Sequence, residues 1–336
     1  MMREKQKKIC SILLSIVMVV SLFAGVGPLK VQAAETHGEH SADDGWVDLE
    51  TKDASNASNQ QYRIEESGKY YLSTNVTKQV YVGGTDTDND IDVILCLNGH
   101  NISYDSQSTA AVVVYGSVNL TITDCSDNDT KSCITDTSGY GAGIEQRGNA
   151  TVKLENVAVK STGDSSNGIE IVPSLSSSSG NLELDNSTIE AKGAAINKSG
   201  NGYIKISNST LGNSSYYLND NSYCTIYTSD YNSEPIENIT ISNSTFYGGV
   251  EINSVCNNLT LTESDFHSGS TCFRLVGGNA VVTDCDFMRS SDLKSATGFC
   301  MGVKDSTLTI SGGKFQDWLR VLGMNMIIIW RMQKKI

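Results

Sequence analysis

Three groups of side chains in this 336-residue chain have chemistry to offer. The first is a set of charges set between apolar residues: Glu170 in Ile169-Glu-Ile171, Glu251 in Val250-Glu-Ile252 and Arg274 in Phe273-Arg-Leu275. In a strand such positions face solvent. There a carboxylate or guanidinium can hydrogen-bond a sugar, or one of two paired acids can protonate a glycosidic oxygen. Taken at that outward position, the successive strands present Val113, Gly143, Glu170, Ala195, Thr225, Glu251, Arg274 and Cys300. No two carboxyls follow one another in that row, so the acid–base pair of a hydrolase is not expected there. Glu251 and Arg274 are expected to face each other across one strand gap, either as a glycan contact or as a surface ion pair worth ~0–1 kcal/mol.

The second group is acidic. Asp86-Thr-Asp88-Asn-Asp90-Ile-Asp92 alternates carboxylates, the oxygen donors that calcium takes, so Asp86, Asp88 and Asp90 are candidate ligands. The segment lacks the Gly and Glu of an EF-hand, because Ile91 and Leu97 stand in those places. A solvated acidic turn is the competing reading, and no other cofactor is implied. The third group is aromatic. Tyr203, Tyr216, Tyr217, Tyr223, Tyr227 and Tyr231 cluster around a long insertion, and an amphipathic tyrosine ring suits a surface that stacks on sugars. Tyr216, Tyr217 and Tyr227 are its candidate binding residues, unless the insertion packs onto the body of the protein.

Cysteine and histidine offer less pattern. Cys96, Cys125, Cys133, Cys224, Cys256, Cys272, Cys285 and Cys300 are spread over 200 residues, as bridges or as buried thiols. Cys125 and Cys133 close a small loop, but Cys125 also fits an inward position equivalent to Ser187 and Ser244. There is no CxxC pair, and His37, His40, His100 and His267 have no metal-site spacing.

These side chains are carried on a repeat. Eight segments share the frame apolar-x-apolar-x-(Asn/Asp)-small-x-apolar, for example Leu182-Glu-Leu184-Asp-Asn186-Ser187-Thr-Ile189 and Ile239-Thr-Ile241-Ser-Asn243-Ser244-Thr-Phe246. Their fifth positions are 124, 156, 186, 208, 243, 263, 284 and 312, spaced 20 to 35 residues apart. Alternation of period two means strands with one buried face. Asn and Asp tolerate a left-handed backbone, so Asp124, Asn156, Asn186, Asn208, Asn243 and Asp284 are expected to stack as one ladder of bends. Each bend shifts the parity, so that Val159, Ile189, Leu211, Phe246, Phe266, Phe287 and Phe315 also face inward. In the first repeat Asp127 breaks this rule. A further short strand precedes each frame. Constant strands with variable turns predict an all-β, right-handed parallel β-helix of about nine to ten coils. At ~4.8 Å per coil it would be a rod on the order of 45 Å long. An antiparallel sandwich would instead show hairpin turns.

Around the regular coils of 111–316, the chain divides further. Residues 1–33 read as a signal peptide, with a basic start, an apolar run from Ile9 to Val26 and a small-residue exit at Val31-Gln32-Ala33. Residues 34–45 are expected to be disordered and 46–110 to form an N-terminal cap with imperfect first coils. Removing the leader leaves 20 basic and 37 acidic residues, which repels nucleic acid and anionic membrane. No later segment has the ~20 apolar residues of a membrane span. Residues 317–336 drop the repeat frame and are expected to be foreign to the fold.

The blocks Gly68-Lys-Tyr-Tyr-Leu72 and Leu95-Cys-Leu-Asn-Gly-His-Asn-Ile102, with the Asn-Ser-Thr-apolar repeats, resemble pectate-lyase-like right-handed β-helix proteins exported by Gram-positive gut bacteria. The resemblance implies an extracellular or cell-surface protein, either a non-catalytic adhesin or scaffold for glycans or a host surface, or a polysaccharide lyase or glycoside hydrolase. For the enzymes of that kind it implies a groove along the first sheet, with an Arg or Lys base beside Asp-bound calcium or a cluster of aspartates.

Overall fold

The computed structural model describes residues 40–54, 60–84, 90–105, 109–126, 130–172, 179–213, 224–229, 234–289 and 301–316, and the backbone of 319–322 and 328–331. The chain is a right-handed parallel β-helix in which each strand pairs, parallel and in register, with its counterpart one coil away. The first face starts at Gln61–Ile64 and runs through Gln79–Gly83, Ala110–Tyr115, Ala142–Arg147, Asn167–Val172, Ile196–Ser199, Cys224–Ser229 and Gly249–Ile252. The second starts at Trp46–Asp48 and passes through Gly68–Tyr71, Ile91–Cys96, Val118–Thr123, Thr151–Glu155, Asn181–Asp185 and Tyr203–Ser207. The third is a separate sheet from Ile102–Tyr104 to Lys314–Gln316. Residues 46–110 thus join the same ladders as the regular coils. Among the described residues no helix is long and apolar enough to cross a membrane.

The inward side chains form one continuous core from Leu49 to Ile310. On the third face the inner column is aliphatic through Ile102, Ile134, Val159, Ile189 and Leu211. It then becomes aromatic. Phe246, Phe266, Phe287 and Phe315 stack with ring centroids 4.8, 4.7 and 5.0 Å apart, within the range of favourable offset ring pairs.

The second and third faces meet at the bend. Asn98, Asn156, Asn186, Asn208, Asn243, Glu263 and Asp284 all have φ between 45° and 58°, a conformation that costs most L-residues about 1–2 kcal/mol. Asn repays it by bonding along the column. Asn186 Nδ2 donates to Asn156 Oδ1 (3.2 Å) and Asn243 Nδ2 to Asn208 Oδ1 (2.7 Å), whereas Asn208 donates to Asp185 (2.7 Å). Beside it runs a buried serine ladder. Ser209 Oγ accepts the Ser187 amide and Ser244 Oγ that of Ser209, both at 3.1 Å, while each hydroxyl donates to the carbonyl two residues earlier.

Asp124 departs from the expected ladder. It occupies the column, since Asn156 Nδ2 donates to its carbonyl (3.1 Å), but its φ is not left-handed. Residues 125–131 intervene before the third face, so Ser132 takes the small inward position and Ile134, not residue 127, the apolar one. The Asp124 carboxylate binds the amides of Gly99 (3.0 Å), Ser126 (3.2 Å) and Ser132 (2.9 Å). Burial raises its pKa, but these donors outweigh it and hold the carboxyl below its ordinary value.

Parts of the two terminal regions are described. Residues 40–45 form a 3-10 turn at Ala42–Asp44, closed by Gly45 at φ 77°. In the tail, Leu319–Leu322 pairs parallel with Met301–Lys304, and Ile328–Arg331 with Leu308–Ser311, continuing two of the faces.

Candidate functional site

Repetition sets the interior, so specific chemistry must lie on the outward positions. On the first face the register aligns Arg63, Tyr81, Val113, Glu145, Glu170, Asn197, Tyr227, Glu251 and Arg274, one per coil. Four members differ from the row expected from sequence. Gly143, Ala195 and Thr225 have the right parity but lie two residues upstream, where the chain is still turning the corner from the third face. A Cβ on Gly143 would come within 2.3 Å of Val159 Cγ1. Ala195 and Thr225 are fully buried, and the Thr225 hydroxyl donates to the Gly249 carbonyl at 3.1 Å. The corner therefore requires small residues, and the open face begins at Glu145, Asn197 and Tyr227. Cys300 lies outside the described residues; Gly302 stands in register with Arg274.

The corrected row places two carboxyls side by side. Glu145 and Glu170 are in-register partners on adjacent strands, against the expectation of no acid pair. Glu145 is 9% exposed, and Arg147, two residues along its own strand, grips its Oε1 through Nε (2.7 Å) and Nη2 (2.6 Å). Glu170 has a weaker partner, Asn197 Nδ2 at 3.5 Å. Burial, and then the charge of Glu145, push the Glu170 carboxyl above its usual range, while Asn167 and Arg147 pull against this. One acid is thus held by a cation while its neighbour favours its proton, an asymmetry that splits acid from base roles in carboxyl pairs.

Further along, Tyr227 is 39% exposed and lies between Asn197 and Glu251. Glu251 and Arg274 are register partners with an Nη1–Oε2 distance of 3.8 Å. Toward the start of the row the Arg63 guanidinium lies 4.8 Å from the Tyr81 ring centroid. Of the expected tyrosine cluster the structure describes Tyr203 and Tyr227, and these two stand on different faces. Tyr203 is on the second face, where its hydroxyl donates to Glu183 (2.8 Å); burial and then that bond push its pKa up to about 12. Tyr216 and Tyr217 lie outside the described residues, as do Asp86 and Asp88. Asp90 is exposed just before Ile91–Cys96.

The second face holds a depression of about 140 Å³ lined by Lys153, Glu155, Glu183, Asp185, Lys205 and Ser207. Its charges answer one another, Lys153 with Glu155 at 2.6 Å and Lys205 with Glu183 at 3.9 Å.

Glu145, Asn197 and Lys198 carried too little signal to be singled out. Glu145 follows Ala142-Gly-Ile144, and extending that strand by one alternation would have found it. Asn197-Lys198-Ser-Gly-Asn reads as a polar turn, yet Lys198 is fully buried and its Nζ donates to the carbonyls of Gly180 (2.7 Å) and Asn201 (2.6 Å). Compared with family models, curated proteins and solved structures, the chain matches none.

Proposed function

We propose that this chain is an exported, pectate-lyase-like β-helix scaffold that binds extracellular glycans or a host surface along its first face, as a cell-surface adhesin or glycan-binding protein. The observation behind this reading is the outward row from Tyr81 to Arg274, which presents aromatic, carboxylate, amide and guanidinium groups at one inter-strand step each. A step of ~4.8 Å per coil suits a linear polymer laid along the first face, with hydroxyls bonded to Glu170 and Asn197 and a ring face on Tyr227. The excess of acid over base favours neutral glycans over polyanions. Calcium at Asp86, Asp88 and Asp90 remains a proposal of the same rank.

The test is a glycan array probed with the purified chain. Binding to neutral polysaccharides is expected, with Tyr227→Ala and Asn197→Ala each weakening it at least tenfold. Unchanged binding in both variants would remove the first face from the reading.

Glu145 and Glu170 favour a second reading, a glycoside hydrolase. Side chains one strand apart, at ~4.8 Å, are closer to the ~5–5.5 Å of retaining enzymes than to the ~6.5–9.5 Å of inverting ones. Glu170 would then protonate the leaving oxygen, and Glu145, positioned by Arg147, would attack the anomeric carbon. Reducing-sugar release by the wild type, abolished in Glu170→Gln, would establish this reading over the first.

A further inference from the structure

We propose that His40, Cys96 and Cys125 form a binding site for a thiophilic metal ion of the Zn2+ type, on the outer side of the bend in the opening coils. Cys96 ends the strand Ile91–Cys96 and pairs in register with Thr123 of the next coil. Cys125 follows two residues later, and the Cys125 and Cys96 sulfurs are 2.8 Å apart. Cys125 Sγ is 3.6 Å from His40 Nε2, and the three donor atoms all lie within 4.8 Å of one another. Asn98 Oδ1 stands 4.0 Å from Cys125 Sγ. This arrangement replaces the Cys125–Cys133 loop that the sequence left open, because Cys133 Sγ turns instead to Thr135 Oγ1 at 3.3 Å. It also takes Cys125 out of the inward position, which Ser132 fills.

The imidazole is placed by a dedicated piece of chain. The 3-10 turn at Ala42–Asp44 and left-handed Gly45 reverse the backbone. His40 then lies edge-on to Trp46, with centroids 4.5 Å apart, and stacked on Tyr71 at 5.1 Å. Two aromatic rings thus fix the plane from which Nε2 meets the sulfurs. A disulfide between Cys96 and Cys125 is the competing arrangement of the two sulfurs, and the test below separates the two.

Two thiolates and an imidazole are the soft donor set that selects zinc over calcium or magnesium, and three protein ligands leave a fourth position for water. With Zn–S bonds of about 2.3 Å, tetrahedral geometry needs the sulfurs about 3.8 Å apart, an opening that partly exposed Cys125 can supply by rotation. The His40–Cys125 separation already suits such a site. Metal held here would tie the start of the chain to the first coils and stabilise them by linkage.

The experiment titrates the full chain, reduced with a phosphine under anaerobic conditions, first with Co2+ as spectroscopic probe and then with Zn2+. One equivalent of Co2+ should give a thiolate-to-metal charge-transfer band, displaced by one equivalent of Zn2+. The band should vanish in Cys125→Ser and persist in Cys133→Ser, and His40→Ala should weaken Zn2+ binding at least tenfold. His40 and Cys125 are partly exposed, so circular dichroism should show both variants folded. The proposal fails if the reduced chain gives no charge-transfer band, if His40→Ala binds as tightly as the wild type, or if Cys133→Ser loses the metal equally. A Cys96–Cys125 disulfide in the exported protein, with no stoichiometric metal after its reduction, would also overturn it.

Discussion

Two columns of side chains run along the stacked coils and follow opposite rules. The inner column of the third face puts like on like: Ile102, Ile134, Val159, Ile189 and Leu211, then Phe246, Phe266, Phe287 and Phe315. The outer column of the first face passes from Arg63 through Tyr81, Val113, Glu145, Glu170, Asn197, Tyr227 and Glu251 to Arg274, and among these described residues Glu145–Glu170 is the one step between like neighbours. Inside, every coil must fill the same cross-section and each ring or branched chain packs on the one before, so repetition lowers the energy. Outside, water meets each side chain and repetition brings nothing. A like-with-like step there costs energy when the residues are charged. That places the structural information inside and makes the Glu145–Glu170 step the outer feature that stability alone does not account for.

The largest effect should come from opening the inner column. Phe266 lies between Phe246 and Phe287 and meets Phe273 edge-on at 6.2 Å. Phe266→Ala should cost about 3–5 kcal/mol, the usual range for truncating a buried aromatic, measured by urea unfolding. A loss under about 1 kcal/mol would mean that the stack contributes little and the contrast between columns is empty.

Lys198 tests the same interior with an intruder. It stands in the inward column of the first face between Ile171 and Thr228, and desolvation lowers its pKa to about 7. An unfolded lysine holds its proton to ~10.4, so between those values the unfolded chain binds more protons than the folded one. Stability should therefore rise with pH from about 7 to about 10, and the penalty is fully present below 7. The two carbonyl acceptors favour the charged form and reduce the effect, leaving on the order of 2 kcal/mol of gain relative to Lys198→Met. Melting both proteins at pH 6 and pH 10 checks it. Parallel curves would show the ammonium to be fully compensated.

Much of the interior was legible because each coil restates it. The left-handed Asn at 156, 186, 208 and 243, the serines beside them and the apolar residue three places on are short-range signals. Three features were not legible, for distinct reasons. The point where a strand clears its corner depends on the third face of the same coil, so Gly143 and Glu145 look equivalent in sequence. The insertion after Asp124 hid Ser132 and Ile134 because the frame resumes seven residues late. The approach of His40 to Cys125 joins residues 85 apart, through aromatic packing that no local pattern encodes.

A smaller effect is expected at the bend that separates the columns. Asn208 combines φ 52° with side-chain bonds to Asp185 and Asn243. Asn208→Ala should cost about 1–2 kcal/mol, since alanine pays the left-handed strain without those bonds. Asn208→Gly should cost less, because glycine adopts that backbone freely. If the two variants unfold at the same denaturant concentration, the hydrogen-bonded ladder rather than the backbone carries the bend.

The smallest effect belongs to the outer column and bears most directly on what that column is for. The Glu170 pKa is raised, so between the ordinary carboxylate value and the raised one the folded chain holds a proton that the unfolded chain has lost. Stability contributed by this group falls as pH rises through that window, and at neutral pH two carboxylates face each other one strand apart. Glu170→Gln keeps the shape and removes one charge. It should raise stability at pH 7 by about 0.2–1 kcal/mol, the size of a cross-strand charge pair. The gain should vanish in acid and shrink in high salt, where exposed charges are screened. Glu145→Gln should behave oppositely, because it strips Arg147 of its partner and leaves the guanidinium unpaired. If Glu170→Gln is destabilising at pH 7, the pair is a structural contact like those of the interior. If it is stabilising while glycan binding or turnover falls, the carboxyl is kept at a cost to the fold, which is the signature of a residue retained for function.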